Sequence, residues 1–132
     1  MKKFFVSLAA LMLAAGLSYA QDLSEATETA KSAVEAFESG NKTEALTLFN
    51  QALELATACG EAGNDIVSQC KAAIPTISLS LAKEEYNAKN FVDAAKMFAE
   101  AAAVAEKYEA FDVVEEATSL IPKAYFGGAN AL

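Results

Sequence analysis

Side chains that commonly carry out catalysis are scarce in this sequence. It contains no histidine, so no imidazole can act as a general base near neutral pH. Ser78 and Ser80 lie in a predicted helix without the glycine elbow or the neighbouring base that a nucleophilic serine requires. We therefore expect no enzymatic activity and no bound cofactor.

Carboxylates occur as the adjacent pairs Glu84-Glu85 and Glu115-Glu116. Neighbours on a helix point about 100° apart, so neither pair converges on one centre. A solvated helix surface is the better interpretation than a glycosidase dyad or a metal site. Gly127-Gly128 is a bare pair, not a phosphate-binding loop. The sequence predicts no metal.

Two cysteines, Cys59 and Cys70, are separated by ten residues. This spacing differs from a redox Cys-x-x-Cys motif, and the absence of histidine disfavours a zinc site. In an oxidising compartment they can form a disulfide, which would contribute roughly 3 kcal/mol through chain entropy. Two buried thiols are the alternative, and the sequence leaves both interpretations open.

The first 20 residues have the pattern of a signal peptide: two lysines, an apolar run from Phe4 to Leu17, and a small-x-small end at Ser18-Tyr19-Ala20. We expect cleavage after Ala20 and a periplasmic or secreted product of a Gram-negative bacterium. The run is shorter than the ~20 residues of a membrane span. We therefore expect no span after cleavage; an uncleaved anchor is the alternative.

The remaining residues, 21–132, suit one small domain. Eight lysines and 18 acidic residues give this part a charge of −10, and arginine is absent. Nucleic acid and anionic membrane surfaces would be repelled. A protein or peptide of unknown identity is the expected partner.

Apolar residues recur at spacings of three and four, and strand signals are nearly absent, so we expect helices throughout. A first helix should run from Asp22 or Ser24 to Ser39, with Gly40 left-handed at its end. Asn41 is the predicted cap of a second helix, and Gly60 to Gly63 should end or bend that helix.

A third helix should start at Asn64 or Asp65. Pro75 and Pro122 then predict a fresh helix or a sharp kink, because proline removes a helical hydrogen bond. We expect helices from 76 to about 87 and from 123 to 132, with Asn90 as the cap of the helix between them.

A pattern of small and aromatic residues occurs twice. Ala45, Phe49, Ala52 and Ala56 return as Ala94, Phe98, Ala101 and Ala105, an offset of 49 residues. Ile74-Pro75 returns as Ile121-Pro122, an offset of 47. This predicts a duplicated unit, about 23–74 and 75–121, with a partial third unit at 122–132. Stacked helical repeats mostly bind other proteins.

This small-aromatic-small spacing, with its preceding turns Gly40-Asn41 and Lys89-Asn90, resembles the tetratricopeptide repeat family. The resemblance implies an all-α fold of antiparallel helix hairpins, stacked as a short right-handed α-solenoid, with long helices interrupted by proline. The family's unit has about 34 residues, whereas this one has 47 to 49. The surplus falls between Ala56 and Pro75.

The resemblance also implies a concave groove that binds a partner. By position it would contain Val34, Phe37, Glu38, Leu79, Lys83, Tyr86, Asn87 and Tyr125. Ordinary packing is the alternative for Phe37 and Tyr86, and a solvated face for Lys83 and Asn87. We therefore expect an exported scaffold that binds a protein or peptide. The alternatives are a subunit that forms homo-oligomers through its terminal face, and a small-molecule or lipid carrier.

Overall fold

A computed structural model describes the backbone of residues 20–131 and the side chains of residues 23–129. Within this range the regular elements are all helical, which confirms the predicted all-α class. They are α1 (Ala20–Glu38), α2 (Lys42–Ala58), a 3-10 helix (Gly60–Gly63), α3 (Asn64–Asn87), α4 (Phe91–Lys107) and α5 (Phe111–Ala131). Residues 1–19 of the predicted signal peptide and Leu132 lie outside the described range. No described helix has the length and apolarity needed to cross a membrane.

Both prolines lie inside helices. Pro75 is within α3 and Pro122 is within α5, so the prediction of a fresh helix after each proline is wrong. An internal proline costs about 3 kcal/mol. Around Pro75 that cost is offset by burial, because Ile74 and Ile77 are both only 2% exposed.

The chain divides into two compact units, and the boundary between Ala73 and Ile74 falls inside α3. In the first unit, α1 packs against α2, and the 3-10 helix contacts both. The centre of α2 is Phe49, which has no exposed surface. Small residues of α1 and α2 are buried as well, and small residues let helices approach closely; the fully buried ones are Ala26, Ala30, Ala33, Ala45, Ala52 and Ala56.

In the second unit, α4 packs against α5, and the last part of α3 joins the same core. Phe98 is 1% exposed and occupies the position equivalent to Phe49. The buried cluster around it consists of Leu79, Ala82, Ala94, Ala95, Ala101, Ala105, Val113, Ala117 and Ala124. The repeated small-aromatic-small pattern therefore marks the core of each unit.

The turn before α2 and the turn before α4 have the same backbone geometry. Gly40 has φ of 86° and Lys89, 49 residues later, has φ of 68°. The amide of Asn41 donates to the carbonyl of Ala36 at 2.8 Å, and the amide of Asn90 donates to that of Glu85 at 2.9 Å. Each is the six-to-one bond of a Schellman motif, which satisfies carbonyls at a helix end.

The length difference between the two units is confined to one segment. Helices α2 and α4 have 17 residues each and begin 49 residues apart, at Lys42 and Phe91. The helices that follow them begin only 47 residues apart, at Asn64 and Phe111. The two extra residues therefore belong to the 3-10 helix of the first unit, which the second unit lacks.

Asn41 and Asn90 occupy the N-cap positions of α2 and α4, but neither side chain caps a backbone amide. The Asn41 Nδ2 instead donates to Glu44 Oε2 at 2.8 Å, and the Asn90 Nδ2 donates to Glu85 Oε2 at 2.8 Å. The predicted cap positions are confirmed, although neither side chain bonds to the backbone there.

Candidate functional site

The groove residues predicted in the first unit lie in the last turns of α1. Val34 and Phe37 are half-buried, and Glu38 is exposed. Part of each of these two apolar side chains is therefore buried, and part is accessible to solvent. This part of α1 offers an accessible apolar edge beside a carboxylate.

The groove residues predicted in the second unit differ in their accessibility. Leu79 is 6% exposed and belongs to the buried cluster, so its side chain packs in the core and not on an accessible surface. The Lys83 ammonium forms a salt bridge with the Glu116 carboxylate of α5, and both side chains are about half exposed. Asn87 is exposed at the end of α3.

Tyr86 belongs to an aromatic cluster. Its ring meets the Phe91 ring edge-to-face, with centroids 5.3 Å apart and planes at 75°. It also lies 6.4 Å from the centre of the Phe98 ring. These contacts fix the orientation of the ring while its other side remains partly accessible. Tyr86 therefore packs in the core and keeps one accessible edge, and its contact with a partner stays a prediction.

Four large apolar side chains of the second unit are exposed. Val92 is 57% exposed, Phe111 64%, Tyr125 56% and Phe126 69%. Tyr125 was predicted as a groove residue, but Phe111 and Phe126 were not. The sequence signal that could have identified them is the helical period of α5, which places both outside its buried face.

An open groove of about 500 Å³ lies within the second unit. Its lining residues are Tyr86, Pro122, Lys123, Phe126 and Gly127. Lys123 forms no ion pair with any residue whose side chain the structure describes. The groove therefore combines two aromatic rings, a proline and one available cation.

Both cysteines are buried thiols in the structure. The Cys59 thiol donates to the carbonyl of Leu55 at 3.3 Å. Burial raises the pKa of the Cys70 thiol to about 12, so this group stays protonated near neutral pH and is a poor nucleophile or metal ligand.

The carboxylate pairs do not converge either. Glu85 accepts a hydrogen bond from Asn90, and Glu116 binds Lys83, so each is engaged in holding two elements together. Among residues 23–129, no group of three or more acidic or cysteine side chains could hold a metal ion.

The chain matches no protein-family model, no curated protein and no solved structure.

Proposed function

We propose that this chain is an exported helical-repeat scaffold that binds a protein or peptide. The observation that carries this proposal is the recurrence, 49 residues apart, of one helix-turn-helix with the same turn geometry and the same buried aromatic centre. Duplicated helical hairpins present a surface that repeats along the chain, and such surfaces suit extended peptides or partner helices. The N-terminal pattern of residues 1–20 supports export.

The two copies offer equivalent side chains at the helix end before each turn. Phe37 and Tyr86 are 49 residues apart, and both are half-buried aromatic rings. Glu38 and Asn87 follow them and are exposed polar residues. An aromatic edge beside a polar group is a common combination at protein interfaces, because it supplies apolar area together with a hydrogen bond. These four residues are the proposed contact positions.

Site-specific photocrosslinking tests this proposal in the intact exported chain. Benzoylphenylalanine replaces Glu38 or Asn87 in two variants, and replaces Asn50 or Ala99 in two matched controls. The control residues are also 49 residues apart and exposed, but they lie on α2 and α4. Circular dichroism checks that each variant keeps its helices.

We expect the same partner protein to be crosslinked from both contact positions and from neither control. Mass spectrometry distinguishes such an adduct from a crosslink between two copies of this chain. Equal labelling from all four positions, or no adduct with another protein, would count against the proposed function.

A further inference from the structure

Helices α3 and α5 are equivalent parts of the repeat, because Pro75 is the twelfth residue of α3 and Pro122 is the twelfth residue of α5. This offset of 47 residues places three apolar positions at the same points of both helices. The pairs are Pro75 with Pro122, Leu79 with Phe126, and Ala82 with Ala129. Successive members are four and three residues apart, so in each helix they lie within about 60° on one face.

The two helices differ in how this face is covered. On α3 all three side chains are buried: Leu79 is 6% exposed, and the other two are less than 2% exposed. On α5 all three are exposed, and Phe126 reaches 69%. The opposite face is buried in both helices, since Ile77 is 2% exposed and its equivalent Ala124 has no exposed surface. The difference is therefore confined to one face.

Helix α4 lies against this face of α3. Tyr86 continues the face, because it follows Leu79 by seven residues, close to two helical turns. The centre of its ring lies 5.3 Å from that of Phe91 and 6.4 Å from that of Phe98, and both of these rings belong to α4. Leu79 is also in the same buried cluster as Phe98 and the alanines of its small-aromatic-small pattern. In the first unit α1 packs against α2, which carries the same pattern.

The equivalent face of α5, formed by Pro122, Phe126 and Ala129, is covered by no helix of the part of the chain that the structure describes. The patterned faces of α2 and α4 are already buried in their own units, where Phe49 has no exposed surface and Phe98 is 1% exposed. A second copy of this chain could therefore supply such a face only by opening one of its own cores. A helix of another protein carries no such cost.

We propose that this α5 face binds an amphipathic helix of another protein, which lies along α5 as α4 lies along α3. The partner helix carries a small residue, an aromatic residue four positions later and a second small residue three positions after that. Recognition of a helix by an apolar surface uses anchor residues at such intervals. The inference rests on the proposed function, because it names the kind of partner, but the α5 face contains none of the four contact positions on α1 and α3.

A peptide with the α4 sequence, Phe91–Lys107, serves as the probe, because it carries the required pattern. The fluorescein-labelled peptide is titrated with the purified intact chain, and its fluorescence anisotropy is measured. We expect saturable binding with a Kd below about 100 μM. Phe126→Ser removes an apolar anchor and Ala129→Glu prevents close approach, so each should raise Kd at least about tenfold.

Phe111→Ser is the matched control on the chain. Phe111 is 64% exposed and lies on the same helix, but it is about 22 Å from Phe126 along the axis, so Kd should stay within about twofold. A peptide that carries Phe98→Ser is the control on the probe and should bind at least about tenfold more weakly. Circular dichroism checks that the chain variants keep their helices.

No binding of the peptide at about 1 mM chain would overturn the proposal. Binding that Phe126→Ser leaves unchanged would overturn it as well, because the peptide would then be replacing α4 within the second unit. Sedimentation of the chain alone tests the other occupant: dimers that Phe126→Ser dissociates would assign the face to a second copy and contradict the proposal. Photocrosslinking from Glu38 and Asn87 is a separate measurement, so failure of the proposed function and failure of the α5 face are distinguishable.

Discussion

The Phe91 ring lies against the backbone of Gly127: a Cβ at residue 127 would stand 2.9 Å from two of its ring carbons. The same ring meets Tyr86 edge-to-face at 5.3 Å. Gly127 therefore lets the first residue of α4 pack between α5 and the end of α3. At Gly128 the corresponding distance to Phe91 is 3.4 Å, an ordinary contact.

The two glycines should consequently respond in opposite directions to alanine. Gly128→Ala should raise the free energy of unfolding by about 0.5–1 kcal/mol, because alanine is the better helix former. Gly127→Ala should lower it by about 1 kcal/mol, because displacing the packed ring outweighs that gain. Urea unfolding followed by circular dichroism measures both. Equal stabilisation by the two substitutions would show that Phe91 moves aside at no cost.

The contact between the Phe91 ring and Gly127 could not be predicted from the sequence. Gly127-Gly128 reads locally as a weak point in the last helix, and nothing nearby in the sequence indicates that Phe91, 36 residues earlier, requires the space. The salt bridge of Lys83 with Glu116 and the burial of Leu79 depend in the same way on which helices meet. These features of the candidate site could not be read from helical period alone.

Turns and core residues were predictable because their signals are local or repeated. The left-handed residue at Gly40 and the start of α2 after Asn41 follow from glycine and asparagine side by side. Phe49 and Phe98 stand at the same position of the repeated pattern, and both are buried. The fresh helices expected after Pro75 and Pro122 do not form, because the cost of a proline is local and buried neighbours on the same helix can offset it.

The two matching turns give a second prediction. Lys89 has the left-handed φ of 68° that glycine adopts without strain at the equivalent Gly40. Lys89→Gly should therefore raise the free energy of unfolding by about 1 kcal/mol, and Gly40→Ala should lower it by about 1 kcal/mol. Thermal unfolding of the two variants measures both shifts. Lys89→Ala is the control for loss of the side chain, and stabilisation by alanine equal to that by glycine would contradict the explanation.

A third prediction concerns the 3-10 helix that distinguishes the first unit. A Cβ at Gly63 would lie 2.0 Å from the backbone oxygen of Ala56 and 2.8 Å from its carbonyl carbon. These atoms belong to the backbone of α2. The overlap with the added Cβ can therefore be relieved only by moving that helix. Gly63→Ala should lower the free energy of unfolding by about 3 kcal/mol.

Gly60 supplies the control in the same segment. A Cβ there meets nothing within 4 Å, and only its φ of 65° opposes a side chain. Gly60→Asn should cost under about 1 kcal/mol, because asparagine tolerates left-handed geometry. Amide hydrogen exchange should show that Gly63→Ala loosens the end of α2. An effect of Gly63→Ala no larger than that of Gly60→Asn would refute the close approach.

The fourth prediction follows from the Cys70 thiol, whose pKa burial raises from 9.0 to about 12. In the unfolded chain this thiol ionises near pH 9, whereas in the folded chain it keeps its proton until near pH 12. Between these values the folded state binds more protons, so stability must fall as pH rises, by at most about 1.4 kcal/mol per pH unit. Between pH 8 and 10 we expect the free energy of unfolding to fall by about 1.4 kcal/mol through this thiol.

Lysine and tyrosine side chains in general also begin to ionise in this range. The contribution of Cys70 is therefore obtained by comparing the pH dependence of the free energy of unfolding between variants. Cys70→Ala should lower stability at every pH, because it leaves a cavity at a fully buried site, but its stability should depend less on pH between 8 and 10. Cys59→Ala is the matched control and should keep the steeper dependence. Urea unfolding at half-unit pH intervals gives the three curves. Parallel curves for Cys70→Ala and the unmodified chain would mean that the Cys70 thiol ionises as easily in the folded protein as in water.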